Sequence, residues 1–432
     1  MPTRLQQLRI ETLASAFGLL LVASTGCWSP PAEFQFNWVH LEIQQQQIGT
    51  PDEPASFSPE QRRNLAEILE ATFGTPQDPK LPGGLAEVNV ESLVDLYNLK
   101  MAAGPVGRDE VSQEPRGLYR RHCAHCHGVT GDGMGPTARF LKPYPRDYRP
   151  GRYKFKLTKG TQKPSKADLM RTLREGIPGT AMPSFGVLPE DELVALVDYV
   201  VYLSLRGEVE RELITALGRL EPNVILLDPV EKSKDPEGYR ESTVIVKQSI
   251  ETVVGRWFRS VPAEIPAPPA WWHELNTDQL DYDSSMAIEV RQRGLALFHG
   301  KGGCVKCHGA TALGDGQLAN YDTWTEVMVD LKMRTMEEQL EPYWRSFHQY
   351  GALLPRPIRP RNLRQGVYRG GRRPIDLYHR ISQGINGTPM PNQEQTLTSE
   401  EIWSLVFYVR SLPFEHASQP AGVRNLERER PN

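Results

Sequence analysis

Two short stretches could do chemistry, and they share one pattern: Cys123-Ala124-His125-Cys126-His127 and Cys304-Val305-Lys306-Cys307-His308. In each, two thiols stand three residues apart and a histidine follows the second. That spacing suits covalent attachment of a haem: both sulfurs add to vinyl groups on one side of the porphyrin, and the adjoining imidazole reaches the iron. The same thiol pair without the histidine would fit half of a zinc site or a thioredoxin-like redox couple. Both copies carry the histidine, and of the five cysteines only Cys27 is left over. Cys123, Cys126, Cys304 and Cys307 are therefore expected to hold two haems covalently, with His127 and His308 as iron ligands.

The segments around the two stretches also repeat, which marks an internal duplication. A glycine-rich turn follows each histidine, at residues 128–136 and 309–316. Further on, Arg146-Asp147-Tyr148-Arg149-Pro150-Gly151 is mirrored by Arg361-Asn362-Leu363-Arg364-Gln365-Gly366. Gly176-Ile177-Pro178-Gly179-Thr180-Ala181-Met182-Pro183 is mirrored by Gly384-Ile385-Asn386-Gly387-Thr388-Pro389-Met390-Pro391. Each half closes on an apolar-periodic helix, expected over residues 190–205 and 400–412.

Each half resembles a class I cytochrome c domain, with a helix entering C-x-x-C-H-G, an irregular loop, and a methionine loop before a terminal helix that crosses the first. The resemblance covers residues 115–207 and 287–413. It implies a mostly α fold of two tandem domains, each wrapping a haem c, with His127 and His308 as proximal ligands and Met182 and Met390 as distal ones. A thioether is a soft, neutral ligand that favours ferrous iron, and a stiff Gly-Thr-Pro loop can aim one inward. Met134, His348, His379 and His416 are the weaker rivals for the distal positions. One departure is visible: Gly294 stands four residues before Phe298 as the family has it, whereas Pro115 stands before Tyr119.

Outside these halves the chain offers fewer signals. Arg4 and Arg9 precede an apolar run over residues 13–26, the pattern of an export signal, and Cys27 after Ser24-Thr25-Gly26 resembles a lipidated bacterial N-terminus. The expected location is the periplasmic side of a membrane, anchored by residues 1–27. Residues 28–114 read as a spacer with a helix over Pro59–Phe73 opened by Ser58. Residues 208–286 read as a linker with helices near 208–217 and 244–258 and a proline-rich run carrying Trp271 and Trp272. The second half gains an insertion over 322–353, and residues 414–432 form a polar tail.

The whole chain of 432 residues carries a formal charge of −3, but residues 139–174 hold twelve Lys or Arg against two Asp, and residues 355–380 eight Arg against one Asp. Basic stretches of that kind can pair with haem propionates or steer an acidic redox partner. A mean hydropathy of −0.47 excludes a protein that crosses a membrane many times. The expected function is electron transfer between redox proteins, with no catalytic residue, no nucleic acid and no small-molecule substrate. The alternatives are a subunit of a terminal oxidase or dehydrogenase, and a di-haem peroxidase, which residues 297–304 resemble in one stretch.

Overall fold

A computed structural model describes residues 32–48, 56–85, 88–220, 224–227, 236–275, 282–317, 347–354, 356–414 and 416–418. The fold is mostly helical. Its helices are α1 (Trp38–Ile48), α2 (Pro59–Phe73), α3 (Leu96–Ala102), α4 (Leu118–His122), α5 (Ala124–His127), α6 (Lys166–Glu175) and α7 (Glu190–Leu217), then α8 (Pro236–Phe258), α9 (Ala270–Leu275), α10 (Ser285–His299), α11 (Val305–His308), α12 (Pro374–Gln383) and α13 (Ser399–Ser411). The strands β1 (Gly107–Arg108) and β2 (Pro115–Arg116) pair antiparallel, with Gly107 opposite Arg116.

The first half is built around α7. This helix was expected to end near residue 205 and to bury one stripe, but it continues through Gly207 to Leu217 and is buried on nearly all sides. Gly207 is the reason it can continue where it does. A Cβ there would lie 2.4 Å from the Arg149 Cα, so glycine lets the loop cross the helix in direct backbone contact. The expected boundary at residue 207 therefore falls inside one uninterrupted element.

Two regions read as spacers supply the rest of that burial. Leu65, Ile68, Leu69 and Phe73 of α2 and Leu99, Met101 and Ala102 of α3 share one core with Leu196, Tyr199 and Tyr202 of α7. Ser58 caps the start of α2 as expected, and the Gln61 side chain returns the bond to the Ser58 main chain. The described residues between 34 and 103 thus pack into the first half rather than forming a spacer that leads to it. The linker is not free either: Val246, Ile250, Val253, Val254 and Trp257 of α8 lie in the same core. The indole of Trp257 donates to Glu208 at 2.9 Å, and Lys163 closes a short ion pair on the same carboxylate.

The second half closes as the repeat predicts. Helix α10 crosses α13 at Gly294, whose Cβ, if present, would lie 2.5 Å from the Ser404 carbonyl oxygen and from the Tyr408 Cβ. In the first half the entering helix is only α4, five residues long, because β2 occupies Pro115–Arg116 and the chain turns at Gly117 with φ of 72°. Helix α3 takes the missing place against α7, and Asn98 Nδ2 donates to Asp198 at 2.8 Å across that contact. Trp272 of α9 packs tilted against Trp403 at 4.9 Å and Trp271 meets Phe407 edge-on, so the tryptophans of the linker dock on α13.

The described residues from Phe34 onward belong to one compact unit, in which the two halves touch directly. Arg171 of α6 pairs with Asp376 of α12 at 3.0 Å, and His379 Nε2 donates to the Thr158 carbonyl at 3.2 Å. Of the insertion, only its last residues are described, and there Phe347 and Ala352 pack on Val39 and Ile43 of α1. The remainder of the insertion, the signal segment, Cys27 and residues 419–432 lie outside the described residues. Among the described residues no helix is long and apolar enough to cross a membrane.

Candidate haem sites

Each Cys-x-x-Cys-His stretch forms a single helical turn, α5 or α11, and the same hydrogen bonds fold both glycine-rich turns back on it. Gly133 N–H donates to the His127 carbonyl at 2.9 Å and Gly314 N–H to that of His308 at 2.9 Å. Gly135 and Gly316 reach the carbonyls of Cys126 and Cys307 at 3.1 Å each. The glycines at both places are required, since a Cβ on Gly135 or Gly316 would fall within 2.8 Å of three main-chain atoms in or beside the attachment turn. Ala312 is the exception. It adopts φ of 59° where the first half has Gly131 at 74°.

The histidines are oriented identically. His127 Nδ1 lies 3.0 Å from the Arg146 carbonyl oxygen, and His308 Nδ1 lies 3.2 Å from that of Arg361. A carbonyl can only accept, so Nδ1 carries the proton and Nε2 keeps its lone pair for a metal. Burial lowers the His127 pKa to about 4 and lowers that of His308 as well, which keeps both rings neutral and ready to ligate. Tyr148 stacks on His127 at 4.7 Å and fixes its plane. The accepting carbonyls come from the mirrored Arg-x-x-Arg segments, where Asp147 and Asn362 accept from the main chain two residues later, at 2.9 and 3.0 Å. The repeat was legible in the sequence, but its purpose was not, because the working atom is a main-chain oxygen.

The two methionine loops are superposable in their bonding. Thr180 Oγ1 donates to the Ile177 carbonyl at 2.8 Å and accepts from Met182 N–H at 3.1 Å; Thr388 donates to Ile385 at 2.8 Å and accepts from Met390 at 3.2 Å. Ile177 and Ile385 return N–H bonds to the carbonyls of Met182 and Met390, and Gly179 and Gly387 turn the loop at φ of 72° and 74°. The threonine in the frame was visible in the sequence. Its role as the internal brace of the loop emerges only from these bonds.

The structure brings Cys123, Cys126, His127 and Met182 into the wall of one cavity of about 1420 Å³, together with Leu196, Val197 and Val200 of α7. Met390 instead lines a pocket of about 780 Å³ with Arg152, Lys163 and Glu208, and does not share it with Cys304, Cys307 or His308. All four cysteines are free thiols. Burial pushes the Cys123 thiol up to about 12 and the Cys304 thiol to about 11, so neither is a ready thiolate. A thioether carries no ionisable proton and suits such a place. Among the described residues no group of three or more His, Cys, Asp or Glu is arranged to hold a metal ion, so the zinc reading finds no further ligands. Of the rival distal ligands, His379 is committed to Thr158, and His416 packs on Tyr282 and Phe414.

Residues 111–200 match the family described as cytochrome c oxidase, cbb3-type, subunit III, and residues 292–413 match cytochrome c. The chain is a c-type cytochrome with two cytochrome c domains. No curated protein matches it. Among solved structures, a chain of the Kuenenia stuttgartiensis reducing HAO-like protein complex is similar at 24% identity, over 68% of this cytochrome and 93% of that chain, with a TM-score of 0.44. The cavity agrees with the family chemistry. Both thiols, the His127 imidazole and the braced Met182 thioether line one cavity, which suits a covalently attached haem c.

Proposed function

We propose that this cytochrome carries two haems, bound through Cys123 and Cys126 in the first domain and Cys304 and Cys307 in the second, and passes electrons between redox proteins. The iron ligands are His127 with Met182 and His308 with Met390. The observation that carries the reading is the shared bonding of the two methionine loops and the two histidine–carbonyl pairs. Chance packing would not reproduce the same brace twice, while two saturated irons need it twice. Saturated irons suit electron transfer and leave peroxide no place to bind. The arginines of residues 139–174 and 355–380 favour acidic partners. The family matched by residues 111–200 is described by its oxidase subunit, which supports work beside an enzyme complex. Anchoring through Cys27 on the periplasmic side of a membrane completes the proposal.

The residues themselves position the cofactors and exclude water; the haem supplies the reversible one-electron chemistry when bound. The test is a pyridine haemochrome count with near-infrared spectra of the ferric protein. Two haems per chain are expected, each contributing the weak sulfur-to-iron band of His–Met ligation, with no peroxide turnover. Cys123→Ala and Cys304→Ala should each remove or weaken attachment of one haem. A single haem in the wild type, or a high-spin signal together with peroxide turnover, overturns the reading.

A further inference from the structure

The cavity of the first domain is lined partly by a segment outside the cytochrome c match. Asn37 and His40, at the start of α1, line it and are only 2% and 6% exposed. Asn37 is held rigidly: its N–H donates to Glu210 at 2.8 Å, its Oδ1 accepts from His40 N–H at 3.2 Å, and its carbonyl accepts from Leu41 at 3.0 Å. That leaves Asn37 Nδ2, which has no partner. Neither ring nitrogen of His40 makes a hydrogen bond either, and burial, aided by the Arg211 charge, lowers its pKa to about 3, so the ring is neutral and carries one N–H donor. A buried donor without an acceptor is costly, so two such groups three residues apart on one cavity wall point to an acceptor that belongs there.

The missing group is an anion. The N-terminus of an 11-residue helix carries partial positive charge, and the guanidiniums of the buried Arg149 and the half-buried Arg211 act on the same imidazole. The carboxylates close by are already engaged: Asp147 takes Arg149 in two bonds of 3.0 and 2.9 Å, and Glu210 takes Asn37 and, at 3.3 Å, Arg206. A haem bound through Cys123 and Cys126 brings its own anions into this cavity, because the two propionates sit on the porphyrin edge opposite the vinyl groups.

We propose that Asn37 and His40 at the head of α1 bind a propionate carboxylate of the haem in the first domain, so that the N-terminal segment completes that domain's cofactor site. The inference rests on the two-haem reading. Helix α1 is well placed to hold such a contact, since Val39 and Ile43 pack on Phe347 while Ile48 abuts Gly218. Donors on a propionate offset its charge at the iron and favour the ferrous state.

The experiment measures both midpoint potentials by spectroelectrochemistry in the wild type, His40→Leu, Asn37→Leu and His40→Gln, with a haem count on each sample. His40→Leu and Asn37→Leu should each lower the potential of one haem and leave the other in place, with the propionate bending band of one haem displaced in resonance Raman spectra. His40→Gln, which keeps a donor and is the gentler change for folding, should shift the same potential less. Two haems per chain with unmoved potentials in all three variants overturn the inference, as does an equal shift at both haems. A wild-type potential that varies with added phosphate also overturns it, because a site for a free anion would be the better account. A wild-type chain with one haem fails the two-haem reading instead, and the count separates that case.

Discussion

At the scale of single residues, the most telling are those whose work is done through the main chain. Thr180 is an ordinary loop residue by type, yet its hydroxyl ties Ile177 to Met182 and so decides where the thioether can point. Thr180→Val keeps the shape and loses both bonds, at a cost of about 1 kcal/mol each. The expected outcome is a ferric spectrum with a weaker sulfur-to-iron band and a growing high-spin fraction that one added ligand such as imidazole quenches. An unchanged band would show that the loop holds Met182 without its brace. Sequence reading found the cysteines, histidines and methionines because their side chains carry the chemistry in a repeated frame. It could not find the carbonyls of Arg146 and Arg361, since every residue has one and only the fold aims it. Asn37 and His40 were missed for a related reason: neither belongs to the repeat, and the cavity they line is visible only once α1 is placed.

At the scale of elements, the two domains solve one packing problem differently. The second does it as the duplicated sequence implies, with Gly294 of α10 against the backbone of α13. Gly294→Val would force side-chain atoms into the Ser404 carbonyl and Tyr408, and helix α10 would have to move. We expect a loss of about 1–3 kcal/mol, confined to the second domain and read as earlier loss of one haem's visible circular dichroism on heating. Equal destabilisation of both domains would count against that confinement. In the first domain Pro115 forbids the same helix, and α3 from the N-terminal region replaces it. The departure at Pro115 was visible in the sequence, whereas the replacement was not. Leu65, Ile68, Leu69 and Phe73 have helical spacing, but spacing tells which face of a helix is apolar and not which surface it covers. The same limit explains α7, whose residues are buried on nearly all sides because α2, α3 and α8 pack around it.

At the scale of the whole molecule, the contact between the domains contains a group that senses acid. His379 is buried at that contact, and burial followed by the nearby Lys156 lowers its pKa to about 4. An unfolded histidine takes its proton near pH 6.5, so below that value the unfolded chain binds a proton the folded chain refuses. The contribution is constant above about pH 6.5 and is lost progressively as the pH falls towards 4, by no more than about 3 kcal/mol. Thermal melts of wild type and His379→Gln across that range should converge as the pH drops. Parallel curves would mean that His379 does not set the acid limit of the contact.

The cavity of the first domain is walled by residues from distant parts of the chain, Asn37 and His40 on one side and Leu353, Arg356 and Arg361 on another. Leu353, Arg356 and Arg361 reach that wall only when the second domain docks on the first. Forming two thioethers demands that porphyrin and thiols meet in the open, before the far wall arrives. We therefore expect loading of the first haem to precede that docking, with the second domain shutting the door behind it.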